Sequence, residues 1–238
     1  MTNKLKRTLL VTGASSGIGR AIAKLLLQQG HTIIGTSRNC QQFTKQHKNF
    51  HAFEIDFSRL DLIPAKLKAL ENAYPQLDGV IFSAGYGQFG SIEQFSFAHI
   101  EQLMAVNFTS QAFITRGLLP NLKRKPHCNL IYIGSEAALK GSRKGSIYCA
   151  SKFALRGFTQ ALREECGTSS VRVSLINPGM VKTAFFNSLT FQPGDDASHA
   201  LLAEDIAETV SYILNSKQHM VIDEINLNPA NKVIKFKK

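Results

Sequence analysis

Cysteine is scarce in this sequence, with four residues among 238, and no long hydrophobic run occurs. The cysteines form neither a Cys-x-x-Cys pair nor a grouping with histidine that would bind a metal, so we expect no metal site. They are Cys40, Cys128, Cys149 and Cys166. This cysteine usage predicts a reducing, cytoplasmic compartment. Because about 20 consecutive apolar residues are needed to cross a bilayer, we also expect no membrane anchor.

Charge is spread along the chain rather than concentrated in one place. The formal net charge is +11, but the basic residues form no long block apart from Lys235, Lys237 and Lys238 at the tail. We interpret this as a solvated basic surface and expect no binding to nucleic acid. With 44% hydrophobic residues, the chain suits a single domain, spanning residues 1–238, with a well-buried core.

The amino-terminal segment combines a short strand, a glycine loop and a helix. The apolar run at residues 8–11 is too short for a signal peptide, and an amphipathic pattern that ends at Gly30 follows the loop. Glycines let the backbone approach a phosphate, and the helix amino terminus supplies free N–H groups and a positive dipole. This context predicts a phosphate site, although the same loop could be only a tight turn. The residues concerned are Gly13, Ser15, Ser16, Gly17, Ile18 and Gly19.

The end of the second predicted strand, residues 31–36, indicates which nicotinamide cofactor is bound. NAD-binding folds place an acidic residue about 20 positions after the loop, where it bonds the ribose 2′-hydroxyl. This chain has Ser37 and Arg38 there, and a guanidinium suits a 2′-phosphate. The pattern favours NADP(H), whereas a solvated arginine would give no preference. Asp56, after the third strand, is a candidate acceptor for the adenine amine or a cap for the next turn.

Strand and helix patterns alternate along the chain, which predicts a parallel sheet with helices on both faces. We expect Pro120 to end the long third helix. Residues 184–200 show little periodicity, so we expect a flexible, mostly polar segment there. Expected helices after the first cover residues 64–73, 97–119, 146–166 and 203–214. Expected strands after the second cover residues 50–55, 80–83, 130–133, 171–176 and 220–227.

Tyr148 and Lys152 carry the predicted chemistry. They are four residues apart, so a helix over Ser146–Cys166 places them on one face, one turn from each other. An ammonium close to a phenol favours the phenolate, which brings the pKa of tyrosine toward neutrality and lets it act as an acid or base. The same spacing also occurs on ordinary exposed helix faces. Asn107 is a second candidate, because asparagine inside a helix competes for backbone bonds and suggests a kink with a bound water.

Together these motifs resemble the short-chain dehydrogenase/reductase family, in its NADP-dependent branch, over nearly the whole chain. They keep the family's order and approximate spacing, so the combined signal is far more specific than any single motif. The family's Asn-Asn-Ala-Gly is replaced by Phe82-Ser83-Ala84-Gly85, in which Ser83 can still donate and accept hydrogen bonds. The matching residues are Thr12, Gly13, Gly17, Gly19, Asp56, Ala84, Gly85, Asn107, Ser135, Tyr148, Lys152 and Asn177-Pro178-Gly179.

The resemblance implies an α/β fold, a doubly wound Rossmann-like parallel sheet of about seven strands that binds NADP(H) at the carboxyl ends of its strands. It implies that Tyr148 exchanges a proton with the substrate oxygen, which Ser135 also binds. Lys152 would lower the pKa of Tyr148 and hold the nicotinamide ribose, and Asn107 would hold a water in the proton relay. The cofactor itself would transfer the hydride. Further implied cofactor contacts are Phe57, Ser83, Ala84, Gly85, Pro178, Gly179, Val181 and Thr183.

The implied substrate is a small ketone, aldehyde or 3-hydroxy acid, with its identity left open. Residues 184–200 stand where the family has its substrate loop, so we expect a lid that is mobile without ligand and orders over the substrate. Arg143 and Lys144 are candidates for contacting a carboxylate, or for simple solvation. The expected pocket residues are Tyr86, Gln88, Glu136, Ala137, Gly141, Met180, Phe185 and Phe186.

Assembly and alternative functions complete the sequence predictions. The helices at residues 97–119 and 146–166 carry more apolar residues than one sheet face needs, so we expect a homodimer or homotetramer through them. One alternative function is a non-catalytic NADP-binding regulator on the same fold. A serine hydrolase is a second alternative, but no Gly-x-Ser-x-Gly elbow surrounds Ser135. An epimerase is a third, and those enzymes resemble longer chains.

Overall fold

The fold, described here from a computed structural model, covers residues 6–39, 47–217 and 219–237; Cys40 and Lys238 lie outside these ranges. Seven parallel strands form the main sheet, and a two-stranded antiparallel ribbon lies apart from it. The sheet contains β1 (Thr8–Thr12), β2 (Thr32–Ser37), β3 (Phe50–Glu54), β4 (Gly79–Phe82), β5 (Cys128–Ile133), β6 (Val171–Pro178) and β8 (Glu224–Leu227). The ribbon contains β7 (Phe191–Pro193) and β9 (Ile234–Phe236).

The strand order in the main sheet is β3-β2-β1-β4-β5-β6-β8. The chain therefore moves outward in one direction from β1, returns to the centre at β4, and continues outward in the other direction. β1 and β4 lie side by side at this reversal, and the carboxyl ends of the strands beside it form the crevice in which open α/β sheets bind ligands. The predicted doubly wound Rossmann-like sheet is confirmed.

Helices cover both faces of the sheet, as the alternation predicted. One apolar core joins the inner faces of the first and last helices to residues such as Leu9, Ile33 and Ile176. The other joins three helices to Leu10, Ile34 and further strand residues that point the opposite way. The helices are α1 (Gly17–Gln28), α2 (Ile63–Ala73), α3 (Phe97–Met104), α4 (Ser110–Leu122), α5 (Ser146–Cys166) and α6 (Ala203–Leu214). Of the helices in the described ranges, none is long and apolar enough to cross a membrane.

The long helix predicted at residues 97–119 differs from expectation in two ways. A π-helical turn, Ala105–Thr109, separates α3 from α4 and contains Asn107, where the sequence indicated a kink. Pro120 does not end the helix, which continues to Leu122. Proline removes one bond to the carbonyl four residues earlier. Pro120 and Arg116 are both exposed near the end of α4, so water can replace that bond.

The carboxy-terminal third also departs from the prediction. Residues 184–200 are not simply irregular, because they contain β7 and two short 3₁₀ turns, Ala184–Phe186 and Ala197–His199. The basic tail is not a loose extension either, since β9 pairs with β7 in antiparallel register. The last strand of the main sheet begins at Glu224 rather than at residue 220, and β6 extends beyond residue 176 to Pro178.

Candidate active site

The glycine loop between β1 and α1 leaves the helix amino terminus open. Gly13 and Gly17 have φ values of 70° and 51°, in the left-handed region that favours glycine. A Cβ added at Gly19 would lie 2.4 Å from the Gly13 carbonyl oxygen, so the third glycine allows loop and helix to touch. The Ser16 side chain makes no capping bond, and the first turn of α1 has no acidic residue. Free N–H groups at a positive helix end fit the phosphates of a dinucleotide.

Thr12 holds the glycine loop against the neighbouring strand end. Its Oγ1 accepts hydrogen bonds from the backbone N–H groups of Ser83 and Ala84, both at 3.0 Å. A Cβ added at Gly13 would lie 3.0 Å from the Ala84 Cα, which shows how closely the two segments approach. On the other side of the loop, a Cβ added at Gly17 would lie 3.6 Å from the Thr183 Cβ. Three predicted cofactor segments therefore meet in one cradle.

Ser37, Arg38 and Asp56 lie at the carboxyl edge of the sheet, beside this cradle. Ser37 is buried, and its Oγ accepts from the Asn39 N–H at 3.2 Å, which leaves the hydroxyl proton to donate elsewhere. Arg38 is exposed. Asp56 caps the next turn through bonds from the Ser58 N–H and hydroxyl, at 2.9 and 2.7 Å. These bonds, and then the nearby charge of Arg38, lower the pKa of Asp56. Capping is thus observed, and the adenine contact stays a prediction.

Other predicted cofactor residues are held by the fold itself. The Phe57 side chain is buried in the hydrophobic core, so only its backbone can face the cradle. Gly179 donates its N–H to the Leu227 carbonyl at 2.7 Å, which ties the end of β6 to β8. Val181 is buried and forms a parallel bridge with Leu201. These contacts fix the path of the chain from Pro178 to Thr183 along the edge of the cradle.

α5 buries both members of the predicted catalytic pair. Tyr148 is 7% exposed and Lys152 is 6% exposed. The Lys152 Nζ donates to the Ile133 carbonyl at 3.2 Å and lies 5.9 Å from the centroid of the Tyr148 ring. Desolvation lowers the pKa of Lys152 to about 8 and raises the pKa of Tyr148 to about 12. A hydrogen bond with Ser135 works against the rise at Tyr148.

The expected fall in the pKa of Tyr148 is therefore wrong for the protein without its cofactor. From sequence alone, only the attraction between the Lys152 ammonium and the phenolate could be expected to shift this pKa. Burial removes water from the phenolate and so raises the pKa of Tyr148. In this site that rise is larger than the lowering caused by the hydrogen bond with Ser135. Burial also disfavours the ammonium of Lys152, so the lysine is itself close to losing its charge. Tyr148 is accordingly a protonated phenol at neutral pH.

Asn107 is positioned by the backbone of Tyr86. Its Oδ1 accepts from the Tyr86 N–H at 3.0 Å, and its Nδ2 donates to the Tyr86 carbonyl at 2.9 Å. The π-helical turn aims the side chain at this segment, next to Gly85, where an added Cβ would lie 3.8 Å from the Lys152 Nζ. Gln111, which the sequence analysis missed, donates to the Asn107 carbonyl at 2.8 Å and to the Ala84 carbonyl at 3.2 Å. Its only signal was a polar residue on an inward helix face.

Asn177 fixes the position of Ser135. The Asn177 Oδ1 accepts from the Ser135 N–H at 3.3 Å. Its Nδ2 donates to Glu224 Oε1 at 2.8 Å and to Asn226 Oδ1 at 2.9 Å. Arg156 on α5 in turn contacts Glu224 at 3.1 Å. Asn177 belongs to a family motif, but its role could not be predicted, because its partners come from a strand almost 50 residues later.

Four phenylalanines surround the substrate side of Tyr148. The centroids of the Phe89 and Phe185 rings lie 5.0 and 6.0 Å from that of Tyr148. Phe191 lies 5.0 Å from Phe89 and 5.9 Å from Phe186, which closes the group. We call Phe89, Phe185, Phe186 and Phe191 the phenylalanine cage; Met180 and Leu189 pack beneath it. The sequence analysis named Phe185 and Phe186 but missed Phe89 and Phe191.

The remaining predicted pocket residues are less closely involved. Arg143 and Lys144 are exposed, and the Lys144 carbonyl accepts from the Gly90 N–H at 2.8 Å. A Cβ added at Gly141 would have no described heavy atom within 4 Å. Glu136 follows Ser135 directly and forms an ion pair with Lys232 of the tail. The exposed fraction of Tyr86 and Ala137 is intermediate, which is compatible with a pocket wall.

The chain is similar to known proteins over most of its length. A family model described as short chain dehydrogenase matches residues 7–193. An uncharacterized oxidoreductase of Staphylococcus epidermidis is 30% identical over 234 residues, which cover 97% of this chain and all of that protein. These matches span the glycine loop, the segment with Tyr148 and Lys152 and, in the bacterial relative, the carboxy-terminal third.

Solved structures resemble this fold over almost its full length. A closed form of serine dehydrogenase complexed with NADP⁺ has 25% identity and a TM-score of 0.82, with 92% of this chain and 94% of that chain covered. An alcohol dehydrogenase of the archaeon Thermococcus sibiricus, complexed with 5-hydroxy-NADP, has 23% identity and a TM-score of 0.85, with 96% and 99% covered. At 23% identity, the similarity to the alcohol dehydrogenase shows a shared fold and nothing further.

Proposed function

The chain belongs to the short chain dehydrogenase family, and we propose that it is an NADP(H)-dependent oxidoreductase acting on a small carbonyl or alcohol substrate. One observation carries the proposal. Tyr148, Lys152, Ser135 and Asn107, which come from three separate segments of the chain, converge beside an open glycine cradle. A nicotinamide cofactor bound in that cradle supplies the hydride. The four side chains are then left to bind the substrate oxygen and move a proton.

Each residue has a chemical role that its surroundings support. Tyr148 is protonated at neutral pH, so it can donate its phenolic proton to a carbonyl oxygen that gains negative charge. Ser135, hydrogen-bonded to Tyr148, can donate to the same oxygen. Lys152 has a pKa of about 8, so it can return a proton toward Tyr148 close to physiological pH. Asn107 holds the backbone at Tyr86, and we retain its role in a proton relay as part of the proposal.

The choice of NADP(H) is supported by the end of β2. Ser37 retains a hydroxyl proton that can be donated, and Arg38, which directly follows β2, is exposed. Asp56, whose pKa is lowered in part by the charge of Arg38, is already engaged by Ser58. A serine dehydrogenase of similar fold was solved with NADP⁺, which fits the same preference.

The test is the oxidation of NADPH by the purified protein with a panel of keto acids, diketones, aldehydes and quinones. We expect NADPH consumption with at least one class and a matching loss in the Tyr148→Phe variant. NADPH binding without turnover on every carbonyl in the panel would instead favour the regulatory protein considered above. Labelling of Ser135 by a fluorophosphonate would favour a hydrolase.

We also propose a homodimer or homotetramer built through α4 and α5. Phe108 and Phe158 contact each other in the core, but Phe113 and Phe153 are 40% and 44% exposed. These two rings lie on the helices that the family resemblance assigns to a two-fold interface. Light scattering at micromolar concentration should give at least twice the monomer mass, and Phe153→Asp should reduce it. A monomeric wild-type protein would contradict the proposal.

A further inference from the structure

The carboxy-terminal tail is attached by an antiparallel ribbon to residues 184–200, which we call the substrate segment. Phe191, Gln192 and Pro193 pair with Phe236, Lys235 and Ile234. The ribbon is extended at both ends, where the Gly194 N–H donates to the Val233 carbonyl at 3.0 Å and the Lys237 N–H donates to the Thr190 carbonyl at 2.8 Å. Asn231 adds two bonds to Ser198, both at 3.0 Å. These contacts fix the substrate segment along most of its length.

The same segment carries three members of the phenylalanine cage, Phe185, Phe186 and Phe191. Phe185 faces the Tyr148 ring, and Phe191 packs edge-on against Phe89, which itself lies on Tyr148. A Cβ added at Gly87 would lie 2.3 Å from the Phe185 ring, so the segment is in close contact with the loop after β4. The ribbon therefore determines how near the cage stands to the catalytic phenol.

The basic side chains of the tail are engaged by groups close to the phenylalanine cage. Three cationic groups of the tail have partners in or beside the substrate segment: Lys232 with Glu136, Lys235 with Asp195, and Lys237 with the Phe186 and Asn187 carbonyls. The charge that acts on Tyr148 from Glu136 is negative, and it contributes to the raised pKa of the phenol. A carboxylate on the substrate would meet this negative charge and a wall of aromatic rings.

We propose that the ribbon and the phenylalanine cage form a selecting wall that admits uncharged, apolar carbonyl compounds and rejects those bearing a carboxylate within a few bonds of the reacting carbonyl, as in 3-keto acids. The inference rests on the proposed function and narrows its substrate class. Apolar groups gain from leaving water against phenyl rings. An ionised carboxylate loses its hydration against these rings, and Lys232, Lys235 and Lys237 of the tail already have partners.

The first experiment compares ethyl acetoacetate with acetoacetate, which share the ketone and differ in charge. With NADPH and the full-length protein, kcat/KM should favour the ester by at least about 100-fold. Phe89→Ala should lower that ratio by at least about tenfold, because one ring is lost from the wall. The matched control is Phe97→Ala, since Phe97 is 88% exposed and should leave the ratio unchanged. Glu136→Gln should improve turnover of the acid.

The second experiment breaks the ribbon while leaving the cage residues in place. Lys235→Pro removes a backbone donor and the ion pair with Asp195, whereas Lys235→Arg keeps both. We expect Lys235→Pro, and not Lys235→Arg, to lower the ester-to-acid ratio by at least about fivefold. Hydrogen exchange in residues 185–193 should accelerate in the same variant. Faster exchange with an unchanged ratio would mean that the ribbon is only structural, which overturns the inference.

The outcomes separate this inference from the function on which it rests. Equal kcat/KM values for ester and acid would overturn the selecting wall and leave the oxidoreductase proposal standing. A preference for the acid would also overturn the selecting wall and leave the oxidoreductase proposal standing. It would point to Lys232 as the group that binds the carboxylate. Reduction of neither compound, together with no turnover in the wider carbonyl panel, would overturn the proposed function and this inference with it.

Discussion

The two walls of the candidate active site are constructed differently. The cofactor wall depends on backbone geometry, with Gly13 and Gly17 at positive φ and Gly19 in contact with the loop. The substrate wall depends on side-chain packing among segments that are distant in sequence, such as Phe89 and the ribbon of β7 and β9. The cofactor wall is therefore formed by residues close together in the sequence, whereas the substrate wall is formed by tertiary contacts.

This difference determines what each wall can tolerate. A backbone cradle presents N–H groups in fixed positions, so a short motif is enough to build it. A packed aromatic wall has no motif, because any set of large apolar residues that fits the space can form it. Substitutions should therefore affect the cofactor wall at single positions and the substrate wall as a group. The predictions below test this contrast, beginning with the residue on which the two walls meet.

Tyr148→Phe should have the largest effect, because Tyr148 is the proposed proton donor and lies between the two walls. The variant keeps the ring that packs on Phe89 and Phe185 but removes the phenolic proton. Turnover should fall by about 10²–10⁴-fold, the range typical of a lost general acid. NADPH affinity should change little, since the glycine cradle is untouched. The measurement is steady-state kcat together with a direct NADPH titration.

The control for this variant is Tyr212→Phe, because Tyr212 is 62% exposed on α6. It loses the same hydroxyl away from the site and should keep wild-type turnover. Equal activity of the Tyr148→Phe and wild-type enzymes would remove Tyr148 from the mechanism. A joint loss of turnover and NADPH binding would show that the two walls are not separable in this protein.

The sequence predicted most of what is local. The bounds of α5 and α6 agree with their patterns, and the glycine loop lies between β1 and α1 as expected. The misfit of Asn107 indicated a distortion, and a π-helical turn is found there. Each of these features depends on residues within a few positions of each other, so that periodicity and turn chemistry are sufficient evidence.

The sequence failed where contacts join distant segments. β9 looks like a basic tail because its partner, β7, lies about 40 residues earlier. Pro120 predicts the end of a helix, but α4 continues to Leu122. The backbone hydrogen bond that proline removes lies at an exposed position, where water can replace it. The pKa of Tyr148 depends on how fully the fold buries it, which spacing to Lys152 does not reveal. The tertiary structure, which a short sequence pattern does not contain, decided all three outcomes.

Lys152→Met should separate catalysis from stability within the cofactor wall. Burial lowers the pKa of Lys152 from 10.5 to about 8, so the folded protein binds this proton less tightly than the unfolded chain. Below pH 8 the lysine therefore costs about 3 kcal/mol of stability. Methionine also loses the hydrogen bond to the Ile133 carbonyl, to which a charged donor contributes roughly 1.5–3 kcal/mol, so the net gain in stability is on the order of 1 kcal/mol.

The gain should depend on pH in a defined direction. As pH rises from about 8 to 10.5, the unfolded chain releases the proton that the folded protein has already lost, so wild-type stability recovers. Urea unfolding of the cofactor-free protein at pH 7 and pH 10.5 should show the advantage of Lys152→Met shrinking. Lys68→Met, at an exposed position on α2, is the control and should show no such trend. A destabilised Lys152→Met variant at pH 7 would contradict the assigned pKa.

The smallest expected effect concerns cofactor choice at the edge of the cofactor wall. Arg38 is exposed and Ser37 can donate its hydroxyl proton, so both can reach a 2′-phosphate. A charge-assisted hydrogen bond contributes roughly 1.5–3 kcal/mol, or about 10–150-fold in affinity. Arg38→Ala should therefore reduce the NADPH-over-NADH ratio of kcat/KM by that factor, and Ser37→Asp should reverse it, because a carboxylate bonds the 2′-hydroxyl and repels the phosphate. Arg59→Ala, which removes an exposed arginine paired with Asp61, should leave the ratio unchanged. Equal kcat/KM for both cofactors in the wild-type enzyme would show that Arg38 does not read the phosphate.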